Sequence, residues 1–208
     1  KLNLPQTCAR CHNDPKLAEQ YRMKLPEAAA QYLDSIHGQG LLKMGLIVAP
    51  SCNDCHGVHD IIPGTYTNSP VFKANISRTC GKCHVKIEDV YNASVHGQLL
   101  MKGDPRGPVC TDCHGVHNIS KVDDPDTGIA LKDNLLEKCQ RCHPDATSNF
   151  PDAWMSHYEP SPENFPLVYY VNLFYKFFIP AVLGGMILFI ITDIYRRIIN
   201  RVKGVKHS

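Results

Sequence analysis

No cysteine in this 208-residue chain lies outside a CxxCH pentapeptide, so none of the ten is left for a disulfide or a thiolate nucleophile. Long apolar runs are also missing before residue 167, where aliphatic residues are few and Gly, Pro, Asp, Asn and Lys are frequent. A soluble segment of this length normally buries a sizeable apolar core. The residues before 167 therefore need a source of buried apolar area other than their own side chains.

Five pentapeptides indicate what supplies this buried apolar area. They are CARCH (Cys8, Cys11, His12), CNDCH (Cys52, Cys55, His56), CGKCH (Cys80, Cys83, His84), CTDCH (Cys110, Cys113, His114) and CQRCH (Cys139, Cys142, His143). CxxCH is the attachment signature of c-type haem, in which two thiols bind one haem edge and the next histidine ligates the iron. Zinc knuckles and redox dithiols need no histidine at that position. The pattern predicts five covalently bound c-type haems, whose macrocycles supply the missing apolar area.

An internal repeat organises these motifs. Residues 35–62 and 94–119 share SxHGQ, a Leu-Leu pair, a Gly-containing loop, a proline and CxDCHGVH. Each copy follows a simpler CxxCH, so the unit is CxxCH, SxHGQ, CxDCHGVH. The repeats cover about 8–62 and 80–119, and a half-unit at 139–158 contains CQRCH and Trp154-Met155-Ser156-His157. Residues 1–158 therefore form one pentahaem head.

Six of the eleven histidines lie outside the pentapeptides. Five of them are predicted sixth ligands of the five irons: His37, His59, His96, His117 and His157. The remaining histidine, His207, lies beyond the apolar segment and is not a predicted ligand. The methionines that could compete as ligands, Met44, Met101 and Met155, are interpreted as packing residues. His59 and His117 follow a motif histidine by three residues, so each should ligate a neighbouring haem; the sequence leaves open which one.

The secondary structure is predicted to be mainly α with extensive loops. Helices are predicted at 15–24, 27–36, 85–95, 132–141 and 151–157. Residues 159–166, EPSPENFP, are a Pro-rich linker, and the apolar run at 167–195 is long enough for one transmembrane helix although Lys176 and Pro180 interrupt it. Residues 196–208 are a basic tail, which the positive-inside rule places in the cytoplasm.

Charge and compartment are consistent with this topology. Residues 1–166 carry 16 Lys and Arg against 19 Asp and Glu, a net charge of −3, whereas residues 167–208 carry 6 against 1, a net charge of +5. An acidic head favours a basic docking partner and argues against nucleic acid. Haem c is attached outside the bacterial cytoplasm, so we expect a periplasmic head on the inner membrane. The chain lacks an apolar leader at Lys1 and is interpreted as a mature form.

The SxHG and CxxCHGxH elements resemble those of multihaem c-type families related to cytochrome c3 and to octahaem electron carriers. With its anchor, the chain is similar to the membrane-anchored quinol dehydrogenases that feed periplasmic nitrate and nitrite reductases. The resemblance implies respiratory electron transfer. The chain departs from those dehydrogenases in its C-terminal anchor and in the absence of a surplus haem that lacks a second histidine.

Three functions follow from these features. The first is a non-enzymatic electron-transfer subunit that connects a b-type cytochrome, or another quinone-reactive membrane partner, with a periplasmic carrier or enzyme. The small residues Ala181, Gly184 and Gly185 favour contact with a partner helix, with a lone anchor as the alternative. The second is a self-sufficient quinol dehydrogenase. The third, a multihaem reductase, requires a five-coordinate haem, which the balanced histidine count disfavours.

Overall fold

The computed structural model describes residues 1–25, 27–154 and 157–203, and they are divided between two units, Lys1–His157 and the chain from Tyr158 onward. Regular structure in these ranges is helical, without a strand. The α-helices are α1 Leu4–His12, α2 Pro15–Gln20, α3 Ala28–Asp34, α4 Ile36–Leu42, α5 Cys52–His56, α6 Ile76–Gly81, α7 Val85–Ala93, α8 Val95–Met101, α9 Cys110–His114, α10 Lys132–Gln140 and α11 Pro166–Val202. Two 3-10 turns span Lys73–Asn75 and Phe150–Ala153. The predicted mainly helical class is confirmed.

A single serine joins the two helices of each SxHGQ segment. Ser35 ends α3 and begins α4; its hydroxyl accepts the Gly38 N–H at 3.0 Å and donates to the Tyr32 carbonyl at 2.6 Å. Ser94 makes the same pair of bonds with Gly97 and Tyr91, at 3.2 and 2.6 Å. Serine is a strong N-cap because its oxygen satisfies a free N–H of the first turn. The extended backbone at each serine divides the predicted helices 27–36 and 85–95.

Two tyrosines tie these helix pairs to the loops before the second motif of each unit. The Tyr32 hydroxyl donates to the Pro50 carbonyl at 2.7 Å, and the Tyr91 hydroxyl donates to the Pro108 carbonyl at 2.8 Å. Burial raises the pKa of both phenols to about 12. The repeated motif is therefore YxxSxHGQ, and its tyrosine was not recognised in the sequence although it stands three residues before each serine.

Replacing Tyr32 with phenylalanine should lower the free energy of unfolding by about 1 kcal/mol, because the Pro50 carbonyl loses its partner while the ring keeps its packing. Denaturant unfolding followed by haem absorbance measures the change. Tyr21→Phe is the matched control, since Tyr21 is 66% exposed. Equal unfolding midpoints for the two variants would contradict the predicted role of the bond.

The structure corrects three predicted boundaries. The helix predicted at 15–24 ends at Gln20, since Arg22 takes a left-handed backbone with φ of 50°. The helix predicted at 151–157 is wrong: Phe150–Ala153 is a 3-10 turn and Trp154 is extended, while Met155 and Ser156 lie outside the described residues. The helix predicted to end at residue 195 continues to Val202, so the first part of the predicted tail is helical.

Helix α11 is long and apolar enough to cross a membrane by length and composition. Its 37 residues extend about 55 Å at 1.5 Å per residue, against about 30 Å of hydrocarbon. Pro180 lies within it without ending it. Near its C-terminal end, Asp193 pairs with Arg196 at 2.9 Å and with Arg197 at 2.6 Å. Lys206 and His207 lie outside the described residues.

Candidate haem centres

The CxxCH motifs occupy two kinds of position. The second motif of each repeat forms a one-turn helix, α5 or α9, in which Asp54 or Asp112 accepts the N–H of Ser51 or Val109, each at 2.7 Å. The first motif of each unit lies at the end of a longer helix, α1, α6 or α10. Local hydrogen bonding therefore presents the cysteines and histidine of each second motif from one short turn.

A lysine joins the two motifs within each unit. Lys1 pairs with Asp54 at 3.0 Å, and Lys73 pairs with Asp112 at 3.7 Å. Both lysines stand seven residues before the first cysteine of their unit, in KLNLPQTCARCH and KANISRTCGKCH. This extension of the repeat was not predicted from sequence, although the shared KxNxxxTCxxCH pattern is its signal. The ion pairs are partly exposed and serve chiefly to align the motifs.

Four motif histidines each face a second histidine ring. The ring centroids are 6.3 Å apart for His84 and His37, 6.0 Å for His56 and His117, 6.4 Å for His143 and His96, and 6.3 Å for His114 and His157. Metal–imidazole nitrogen bonds are about 2 Å long, so two imidazoles on opposite sides of one metal hold their centroids about 6 Å apart. These four pairs fit the axial ligands of a six-coordinate haem iron.

The environment of six of these rings favours the neutral form of the imidazole. Burial lowers the pKa of His37, His56, His96, His114, His117 and His157. Neutral imidazole is the form that ligates a metal. Among the described residues, the Nδ1 atoms of His117 and His157 are buried and have no hydrogen-bond partner, which is uncommon for a histidine with a purely structural role. The donor set and its surroundings therefore suit haem iron.

His12 and His59 differ from the other predicted ligands. Both are exposed, and neither ring is paired with another histidine in the described part of the chain. His12 lies near His56 and His117, whose pKa values its charge lowers further. Met44 and Met101 are 56% and 68% exposed, and Met155 lies outside the described residues.

Cysteines of successive motifs approach one another. Cys52 lies near Cys8, and Cys80 lies near Cys110. Cys55 lies near Cys80 and Cys83, and Cys113 lies near Cys139 and Cys142. Burial is the main reason that the pKa of the Cys52 thiol rises to about 11. In a haem-loaded chain these sulfurs would be thioethers without a proton. Their positions are therefore relevant to the haem centres, whereas the pKa of the thiols is not. These positions connect the five motifs in chain order.

Residues 66–144 match the model of the family described as cytochrome c7 and related cytochrome c. The matched segment contains three of the five CxxCH motifs together with His96 and His117. This segment is similar to the multihaem cytochromes c. The similarity implies covalently bound c-type haem and supports a multihaem electron-transfer protein. No curated protein and no solved structure matches the chain.

Proposed function

We propose that this protein is a membrane-anchored pentahaem cytochrome c that relays electrons as a subunit of a respiratory complex. The observation that carries the proposal is the set of four histidine pairs at axial-ligand separation. Bound haem with two histidine ligands supplies one-electron transfer. We assign the fifth pair to His12 and His59, the two histidines that remain among the predicted ligands.

Two histidines on every iron leave no position for a substrate, which favours a carrier over a reductase. Within the chain, the cysteine contacts place the attachment points of successive motifs side by side, from CARCH to CQRCH. The chain's own contribution is thus to hold five redox centres in sequence and to supply their axial imidazoles.

The membrane part of the proposal rests on α11. Arg196, Arg197 and Arg201 at the C-terminal end of this candidate span support, by the positive-inside rule, a cytoplasmic C-terminus and a periplasmic head. A methyl group built on Gly184 or Gly185 would meet no atom within 4 Å, so this side of the helix is open to close approach by another helix. We propose a b-type cytochrome or another quinone-reactive subunit as that partner, and a periplasmic redox protein at the head.

Reduction of the isolated chain in detergent tests the function. We expect dithionite to reduce five haems per chain, counted by pyridine haemochrome, and a menaquinol analogue alone to reduce none rapidly, because the quinone chemistry belongs to the partner. The ferric spectrum should be entirely low-spin. Rapid reduction by the quinol would instead support the self-sufficient quinol dehydrogenase, and a high-spin ferric haem would support the reductase.

A further inference from the structure

The histidine pairs follow a rule that connects successive units. The SxHGQ histidine of one unit faces the first motif of the next, as His37 faces His84 and His96 faces His143. In the opposite direction, His117, from the GVH of the second unit, faces His56 in the second motif of the first unit. The second unit therefore supplies one imidazole forward, from His96, and one backward, from His117.

His157 follows the backward part of this rule, since it faces His114 in the second motif of the preceding unit. Its place corresponds to His117 and His59, not to the SxHGQ histidines that its Ser-His sequence resembles. The spacing agrees: Asp152 stands five residues before His157, as Asp112 stands five before His117. In sequence, residues 150–157 therefore correspond to a third copy of the CxDCHGVH segment.

An ion pair supports this correspondence independently. Lys132 stands seven residues before Cys139, the position that Lys1 holds before Cys8, and it pairs with Asp152 at 2.7 Å. Lys1 and Lys73 make the equivalent contacts with the aspartates of CNDCH and CTDCH. The 3-10 turn Phe150–Ala153 takes the place of the one-turn helices α5 and α9 and, like them, packs on the helix that carries the first motif of its own unit.

When residues 150–157 are aligned with CxDCHGVH, Phe150 and Ala153 take the positions of the two cysteines, and Trp154 takes the position of the motif histidine. Both aromatic rings lie against the last histidine pair. The Phe150 ring is 5.1 Å from that of His143, and the Trp154 ring is 5.6 Å from that of His96. Two aromatic side chains thus stand at the sequence positions of a haem-attachment motif and lie against the last histidine pair.

We propose that residues 150–154 are a former haem-attachment motif that no longer binds a sixth haem, and that Phe150 and Trp154, at the positions of its first cysteine and its histidine, cap the last redox centre of the chain. The inference rests on the proposed function, because it extends the same ligand pattern. Trp154 is a positioning residue: its ring packs on His96 of the last centre and, edge-on at 6.0 Å, on His157 of the preceding one.

The third unit retains the histidine that faces the preceding unit and lacks the segment that would serve a following unit. It keeps His157, which faces the second unit. It lacks an SxHGQ segment, since only residues 144–149 separate His143 from Phe150, whereas residues 85–109 separate the two motifs of the second unit. That segment would serve a following unit, and here the Pro-rich linker and α11 follow instead.

The test restores the motif by the triple substitution Phe150→Cys, Ala153→Cys and Trp154→His, in a host that attaches haem c. Each new thiol adds across one vinyl double bond, exchanging its S–H bond for a C–S and a C–H bond without an oxidant. We expect six haems per chain by mass and pyridine haemochrome, five of them low-spin and the sixth high-spin because no following unit supplies its second histidine. A chain with five or fewer haems, a chain that fails to accumulate, or loss of low-spin ligation at the original centres would overturn the proposal.

A loop variant controls for attachment to any CxxCH. Lys121→Cys, Asp124→Cys and Pro125→His creates the same motif in a loop outside the repeat frame. We expect this variant to lose thermal stability relative to the wild type and the triple variant to retain its stability. Equal losses in both variants would overturn the proposal. Failure of the proposed function is distinguishable, because it would appear in the wild-type chain as a haem content other than five.

Discussion

Replacing His117 with alanine is expected to convert one of the five haems from low-spin to high-spin and to give the reduced protein one carbon monoxide site per chain. The ring of His117 lies 6.0 Å from that of His56, nearly parallel to it at 12°. Under the proposed ligation, its loss would open one axial position of the haem that Cys52 and Cys55 would hold. Electron paramagnetic resonance of the ferric protein and carbon monoxide difference spectra of the ferrous protein measure the change.

The same substitution in two backgrounds identifies the haem affected. In a variant without Cys52 and Cys55, His117→Ala should add no high-spin signal, because the centre that it serves is missing. In a variant without Cys110 and Cys113, the signal should still appear. The opposite result would mean that His117 serves the haem of its own motif, contrary to the ring geometry.

Replacing Gly38 with alanine should prevent α3 and α4 from packing as they do, and should reduce both haem content and stability. A methyl group at this position would collide with the Tyr32 carbonyl oxygen, whose place is set by the Ser35 bond and by the turn between the helices. Overpacking against backbone costs about 1–3 kcal/mol or more, since the backbone cannot move aside as a side chain can. The free energy of unfolding from denaturant titration measures the cost.

Gly40→Ala in the same helix is the matched control. Its new methyl group would lie 3.6 Å from the Ala49 Cβ, an ordinary contact, and alanine favours a helix over glycine by about 1 kcal/mol. We therefore expect Gly40→Ala to be neutral or slightly stabilising while Gly38→Ala destabilises. A similar effect of the two substitutions would show that the close approach at Gly38 is not the reason for its glycine.

Local features of this protein could be predicted from sequence. CxxCH brings two thiols and an imidazole to one haem through covalent spacing alone, and the apolar run that became α11 needs only length and composition to indicate a membrane span. The cap at Ser35 is likewise a matter of neighbouring residues. The repeat of SxHGQ and CxDCHGVH identified most candidate ligands for the same reason: each copy carries its histidine at the same place.

Contacts between units were decided by the tertiary structure. Nothing near His117 in sequence indicates that its ring faces His56, more than fifty residues earlier, because such a pairing depends on how one unit packs against the next. The helix predicted at 151–157 failed for a related reason. That segment follows the frame of a CxDCHGVH copy, in which Asp152 pairs with Lys132 and Trp154 packs on His96, and these distant contacts favour a short 3-10 turn over a continuous helix. Sequence determined what each motif can bind, and packing between units determined which partner it meets.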